Sequence, residues 1–100
     1  MSNKYFLYIL VSLKDGRFYT GTTNDLERRI SDHNRNRSKY YKNRGPYRLA
    51  YFEEFNSRFE AVKRERHLKT PSGGIQKSSL VDSFNKELLK KYNNRLVEHP

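Results

Sequence analysis

Four side chains stand where their type and spacing could support acid–base and phosphate chemistry: Tyr8, Tyr19, Arg29 and Glu65. The two tyrosines fall in strand-like segments, and Gly21 follows the second on the same face. Such phenols are either cross-strand packing partners or the border of a cleft where a backbone must approach closely. Arg29 and His33 are spaced i and i+4, so a helix would make them neighbours. Arg28 and Arg29 are either solvated or, for Arg29, a rigid fork matched to phosphate. His33 either packs, or offers an imidazole that titrates near neutral pH. Glu65 falls at a position where the stripe of Ala61, Val62 and Leu68 calls for a hydrophobe. An inward carboxylate is costly unless it is paired or holds a cation. It is therefore either a buried ion pair with an arginine or a metal ligand, and Mg²⁺ needs only one or two carboxylates.

A second constellation is the segment Arg35–Arg48, with six basic side chains, three tyrosines and no acid. Arg35, Arg37, Lys39, Lys42, Arg44 and Arg48, with Arg28 before them, are either a solvated loop or contacts for nucleic-acid phosphates, the interleaved rings stacking on bases. The whole chain agrees with the second reading: 21 Lys and Arg against 11 acids give a formal charge of +10 over 100 residues. Such an excess favours polyanions, because each neutralised phosphate releases counterions. Cysteine is absent, which excludes disulfides and thiolate zinc sites. The apolar run Tyr5–Leu13 is too short to span a bilayer. These features lead us to expect a soluble, unprocessed, cytoplasmic protein with no membrane partner; they assign no oligomeric state.

The elements that must position these residues can be read from periodicity. Residues 5–13 alternate, with Leu7, Ile9, Val11 and Leu13 on one face and Tyr8, Leu10 and Ser12 on the other. Asp15-Gly16 predicts a two-residue hairpin loop that pairs Ser12 with Tyr19 and opens a second strand over 17–22. Tyr8, Leu10, Tyr19 and Gly21 then share a face. Asn24 with Glu27 predicts a capped helix to about Asn34, with Leu26 and Ile30 buried. A third strand is expected at Tyr47–Phe55. Ser57 with Glu60 predicts a second helix to about Lys69, which Thr70-Pro71-Ser72-Gly73-Gly74 should stop. A last helix is expected over 79–92, with Leu80, Val81, Phe84 and Leu88 at helical spacing. The order β-β-α-β-α-α gives an α+β fold, a three-stranded antiparallel sheet flanked by helices. We expect one domain over residues 1–93 and a frayed tail over 94–100.

These residues together resemble a known family. Phe6-Leu7-Tyr8, the glycine turn, Tyr19-Thr20-Gly21 and Asn24-Asp25-Leu26-Glu27-Arg28-Arg29-Ile30 are similar to the signature of the GIY-YIG nuclease superfamily. The likeness is to small single-domain bacterial members related to the N-terminal nuclease module of the excision-repair subunit UvrC. Tyr51-Phe52-Glu53-Glu54-Phe55 and Arg64-Glu65-Arg66 extend it to about residue 70. Phe6 stands where the name-giving glycine would be, and Thr22 where the repair module has a lysine.

The resemblance implies roles. Tyr8 and Tyr19 would be catalytic, with Tyr8 helping to deprotonate the attacking water. Arg29 would hold the scissile phosphate and His33 would assist. Glu65 would bind a single Mg²⁺ or Mn²⁺ ion. The implied function is a metal-dependent endonuclease, structure-directed rather than sequence-specific, acting on DNA ahead of RNA in repair or recombination. The alternatives are a nucleic-acid-binding module that keeps the fold without cutting, and a basic structural or ribosome-associated protein.

Overall fold

A computed structural model describes residues 4–34 and 46–97, with side chains over 4–32 and 46–93. The elements are β1 (Tyr5–Ser12), β2 (Phe18–Thr23), α1 (Leu26–Asn34), β3 (Tyr47–Phe55), α2 (Arg58–Leu68), α3 (Pro71–Ser83) and α4 (Glu87–Val97). The three strands form one antiparallel sheet in the order β2-β1-β3. The expected α+β class is therefore the observed one.

Alternation along β1 divides the core into two layers. Tyr8 and Leu10 pack with Leu26, Ile30, Tyr47, Leu49 and Leu89, which is the layer covered by α1 and α4. Leu7 and Ile9 pack with Tyr51 and Leu68 on the opposite face, under α2 and α3. Leu7, Ile9, Leu10 and Leu68 are each fully buried, and burial of such side chains stabilises by about 1.5–3 kcal/mol apiece. A bulge in β3 lies opposite Ile9 and Leu10: Tyr51 pairs with Ile9 and Leu49 with Leu10, which leaves Ala50 unmatched. The extra residue switches the pleat, so Tyr47 and Leu49 face one layer and Tyr51 faces the other. Asn93 of α4 supports the bulge from outside. Its side chain accepts from the Leu49 N–H and donates to the Leu49 carbonyl, both at 2.9 Å, as a neighbouring strand would.

Three sequence expectations are corrected. The hairpin loop has four residues, not two: Val11 pairs with Phe18, Leu10 with Tyr19 and Tyr8 with Gly21. Ser12 sets this loop. Its hydroxyl accepts from the Lys14 and Asp15 N–H groups, its carbonyl accepts from Gly16, and Gly16 takes the left-handed φ of 74°. β1 therefore ends at Ser12, and Leu13 is exposed rather than inward.

The cap of α1 is Asp25 rather than Asn24. Asp25 Oδ1 accepts from Arg28 N and the Asp25 carbonyl accepts from Arg29 N.

The expected last helix is two helices, and Thr70–Gly74 starts one as well as stopping one. Thr70 Oγ1 accepts from Gly73 N at 3.1 Å with Pro71 in the first turn, a standard helix entry. A Cβ at Gly73 would lie 2.8–2.9 Å from backbone carbons of His67 and Leu68, so only glycine lets α3 abut the end of α2. The break between α3 and α4 falls at Phe84, whose backbone is extended, and Asn85 Oδ1 accepts from Glu87 N to open α4.

Candidate active site

The hairpin register puts Tyr8 directly across from Gly21. The Tyr8 ring lies over that glycine: a Cβ at position 21 would sit 2.5 Å from Tyr8 Oη and 2.7 Å from Cζ. The ring thus crosses from β1 over β2, and its residue is only 2% exposed. From the same layer, α1 delivers Arg29. Thr23 Oγ1 accepts from Asp25 N at 3.1 Å and fixes the approach to the helix, and the buried Leu26 and Ile30 set its rotation. Arg29 is then half-buried beside that stripe, and its Nε donates to Tyr8 Oη at 3.1 Å. A guanidinium donating to a phenol oxygen favours negative charge on that oxygen.

Tyr19 lies on the same face as Tyr8, across from Leu10, and is half-buried. Its ring meets Tyr47 edge-on at 5.3 Å. His33 belongs to α1, but its side chain is outside the described residues. Arg28 is exposed and donates to Asn24 Oδ1 at 3.1 Å. Arg48 is exposed on β3. Arg35, Arg37, Lys39, Lys42 and Arg44 all lie outside the described residues.

Glu65 comes from the other layer. On α2, Ala61 and Leu68 are buried against the sheet, and Arg64 and Glu65 flank them. Successive helix residues are turned by about 100°, so the two occupy opposite flanks. Arg64 reaches Glu53 on β3, its Nε at 3.1 and 3.2 Å from the two carboxylate oxygens and its Nη2 at 3.1 Å from one of them. Glu65 accordingly lies on the flank turned away from β3, where α2 packs over β1 and β2. Its side chain is 20% exposed, and Lys69 Nζ stands 2.8 Å from its carboxylate. Among the described residues Lys69 is its one side-chain partner. Tyr8 and Arg29 are thus brought together, while Glu65 stands on α2 in the opposite layer and makes no contact with either. The arginine beside it in sequence, which could have formed a buried pair with it, is committed to Glu53 instead.

Sequence reasoning missed the Tyr51–Glu53–Arg64 group. The Tyr51 hydroxyl also donates to Glu53, and burial together with that carboxylate pushes the phenol up to about 12. Glu53 in turn holds the Arg64 guanidinium above its ordinary range. The signal was present but weak: Arg64 sits beside Ala61 and Leu68 at helical spacing.

The donor set fits one hard cation. Among the described residues no three His, Cys, Asp or Glu side chains group as a closed metal cage. Glu65 is a single half-buried carboxylate already bound to an ammonium, and one such carboxylate with water and substrate oxygens suffices for Mg²⁺.

Comparison with known proteins adds a family likeness. The family model described as the GIY-YIG catalytic domain matches residues 4–79. A UPF0213 protein of Staphylococcus saprophyticus is 46% identical over 69 residues, which cover 68% of this chain and 83% of that protein. A UPF0213 protein of Clostridium perfringens is 44% identical over 79 residues, 78% of this chain and 83% of that one. The solution NMR structure of a UPF0213 protein from Bacillus halodurans is similar at a TM-score of 0.52 and 36% identity, covering 87% of this chain and 95% of that chain. No helix among the described residues is long and apolar enough to cross a membrane.

Proposed function

Because this chain belongs to the GIY-YIG catalytic domain family, we propose that it is a metal-dependent endonuclease that hydrolyses phosphodiester bonds of nucleic acid. The observation that carries the proposal is the Arg29–Tyr8 hydrogen bond of 3.1 Å over Gly21. In this reading Tyr8 acts as a phenolate, the form favoured by the guanidinium that donates to its oxygen, and becomes the neutral phenol as it takes the proton of the attacking water. The Arg29 guanidinium, a planar fork matched to phosphate oxygens, would hold the scissile phosphate. Tyr19, on the same face as Tyr8, and His33 of α1 would orient water and substrate. Glu65 would hold one Mg²⁺ or Mn²⁺ ion, which when bound supplies neutralisation of growing negative charge on the phosphate.

The substrate reading follows from charge and size. A formal charge of +10 on 100 residues gives strong sequence-independent attraction to phosphate backbones. The basic side chains Arg28, Arg35, Arg37, Lys39, Lys42, Arg44 and Arg48 are the proposed contacts. Phosphate contacts carry no base information, so selection by structure, such as nicks, flaps or branches in DNA, is favoured over selection by sequence. Repair or recombination is the setting that suits such substrates.

A second reading, a nucleic-acid-binding module without catalysis, is favoured by one observation: the Glu65 carboxylate is held by Lys69. The two separate in a cleavage assay on labelled flap and branched DNA with Mg²⁺ or Mn²⁺. The nuclease reading expects metal-dependent cutting by wild type. Glu65→Gln and Arg29→Ala should each lose about 100-fold or more while still binding DNA, the scale for removing one group that stabilises transition-state charge. Wild-type protein that binds these substrates but cuts none with any divalent ion would establish the binding module.

A further inference from the structure

We propose that Lys69 and Lys77 form a phosphate-binding pair beside Glu65, in which Lys69 leaves the carboxylate when a divalent cation takes it and turns to a substrate phosphodiester. The inference deepens the reading above and rests on Glu65 as the cation ligand. Its geometry comes from the seam between α2 and α3. Lys69 closes α2, one turn beyond Glu65, with its ammonium 2.8 Å from the carboxylate. α3 begins at once, and Gly73 presses against the backbone of His67 and Leu68. Lys77 lies one turn further along α3 on the Gly73 side, so it faces the same seam.

Lys77 is half-buried, and among the described residues no carboxylate pairs with it. Burial and the charge of Lys69 both disfavour its ammonium form. Lys77 is therefore a second positive group in the seam near Lys69, with no carboxylate of its own among the described residues. Like charges held together repel, and an arriving anion offsets that repulsion. The single negative charge of a phosphodiester meets this need, since lysine acts as a point charge toward phosphate oxygens. Lys69 is 56% exposed at its side chain, so it is free to swing. While it holds Glu65 it fills the place of the cation. Once displaced, it adds a second positive group next to Lys77.

The test uses two measurements that do not need cleavage. In the first, a fluorescent single-stranded DNA is titrated with the full chain in metal-free buffer at several salt concentrations, followed by anisotropy. Lys77→Met should lower the slope of log affinity against log salt by about one, and Lys77→Arg should restore it. In the second, Mn²⁺ uptake by the free protein is followed by electron paramagnetic resonance. Lys69→Met should tighten Mn²⁺ by about fivefold, because the competing internal cation is gone, while Glu65→Gln should abolish that uptake. A lysine with a purely structural role moves neither readout, and thermal melts confirm that each variant folds. Lys77→Met with the wild-type slope, or Lys69→Met with Mn²⁺ uptake unchanged or weaker, overturns the inference. Wild type that binds DNA and Mn²⁺ as expected but cuts nothing overturns the nuclease reading alone.

Discussion

Replacing Gly21 by alanine tests the geometry on which the site depends. The new Cβ would sit 2.5 Å from Tyr8 Oη, 2.7 Å from Cζ and 3.2 Å from Cε2. Ordinary carbon contacts begin near 3.5 Å, so the end of the ring must move by about 1 Å. It has little room: Tyr8 is 2% exposed and packs with Leu10, Leu26 and Ile30. Overpacking of this kind costs about 1–3 kcal/mol. For a domain of this size each kcal/mol lowers Tm by about 4–8 °C. The same movement breaks the 3.1 Å bond from Arg29 Nε. A displacement of about 1 Å at a reacting group costs on the order of 100-fold in rate. Activity should thus fall much further than stability, with DNA binding retained. The decisive assay is a double-mutant cycle with Tyr8→Ala, followed by thermal or urea denaturation. Without the ring the alanine methyl has space, so Gly21→Ala should become nearly neutral, giving a coupling of about 1–3 kcal/mol. Equal costs in both backgrounds would refute the claim that the ring occupies the space a side chain would need.

Two further outcomes follow from groups outside the site. Tyr51 has its pKa raised from 10.0 to about 12 by burial and by Glu53, so the unfolded chain loses the proton first as pH rises. Stability should be unaffected by this group below about pH 10 and fall through the window from 10 to 12, by on the order of 2 kcal/mol in all; urea unfolding at stepped pH checks this, and Tyr51→Phe should flatten the fall. Asn93→Leu removes both bonds to Leu49 at the β3 bulge and orphans a buried N–H and carbonyl. It should cost about 2–4 kcal/mol in chemical denaturation, with Asn93→Asp, which sets a buried carboxylate against the Leu49 carbonyl, costing at least as much.

What the sequence made legible was what local patterns govern. The Ser57–Glu60 cap signal found the start of α2, where Ser57 Oγ accepts from Glu60 N, and the third strand expected at Tyr47–Phe55 is β3. What it hid was decided by contacts between distant residues. Gly73 and Gly74 disfavour a helix by about 1 kcal/mol each relative to alanine, so Thr70–Gly74 reads locally as a stop. The close approach of α3 to the His67 backbone overrides that preference, and nothing in the local sequence announces it. Likewise, the bulge at Ala50 and the Asn93 amide that supports it join segments more than forty residues apart. The committed partnership of Arg64 with Glu53, and hence the turning of Glu65 to the opposite flank, depends on which strand α2 lies against.

The hairpin shows why a wrong register left the candidate site readable. The two-residue loop predicted from Asp15-Gly16 differs from the observed loop by two residues on the partner strand, because the Ser12 hydroxyl ties the Lys14 and Asp15 N–H groups. A slip of one would have sent Tyr19 and Gly21 to the opposite face; a slip of two preserves every face. Tyr8, Leu10, Tyr19 and Gly21 therefore share a face in either register, and only the rung changes. The rung is nonetheless what creates the geometry. In the predicted pairing Leu10 lies across from Gly21, whereas in the observed one Tyr8 does, and its ring crosses the glycine to meet Arg29. Face identity follows from a period of two and survives errors in loop length. Contact identity does not, and it is the contact that brings the Arg29 guanidinium to the phenol oxygen.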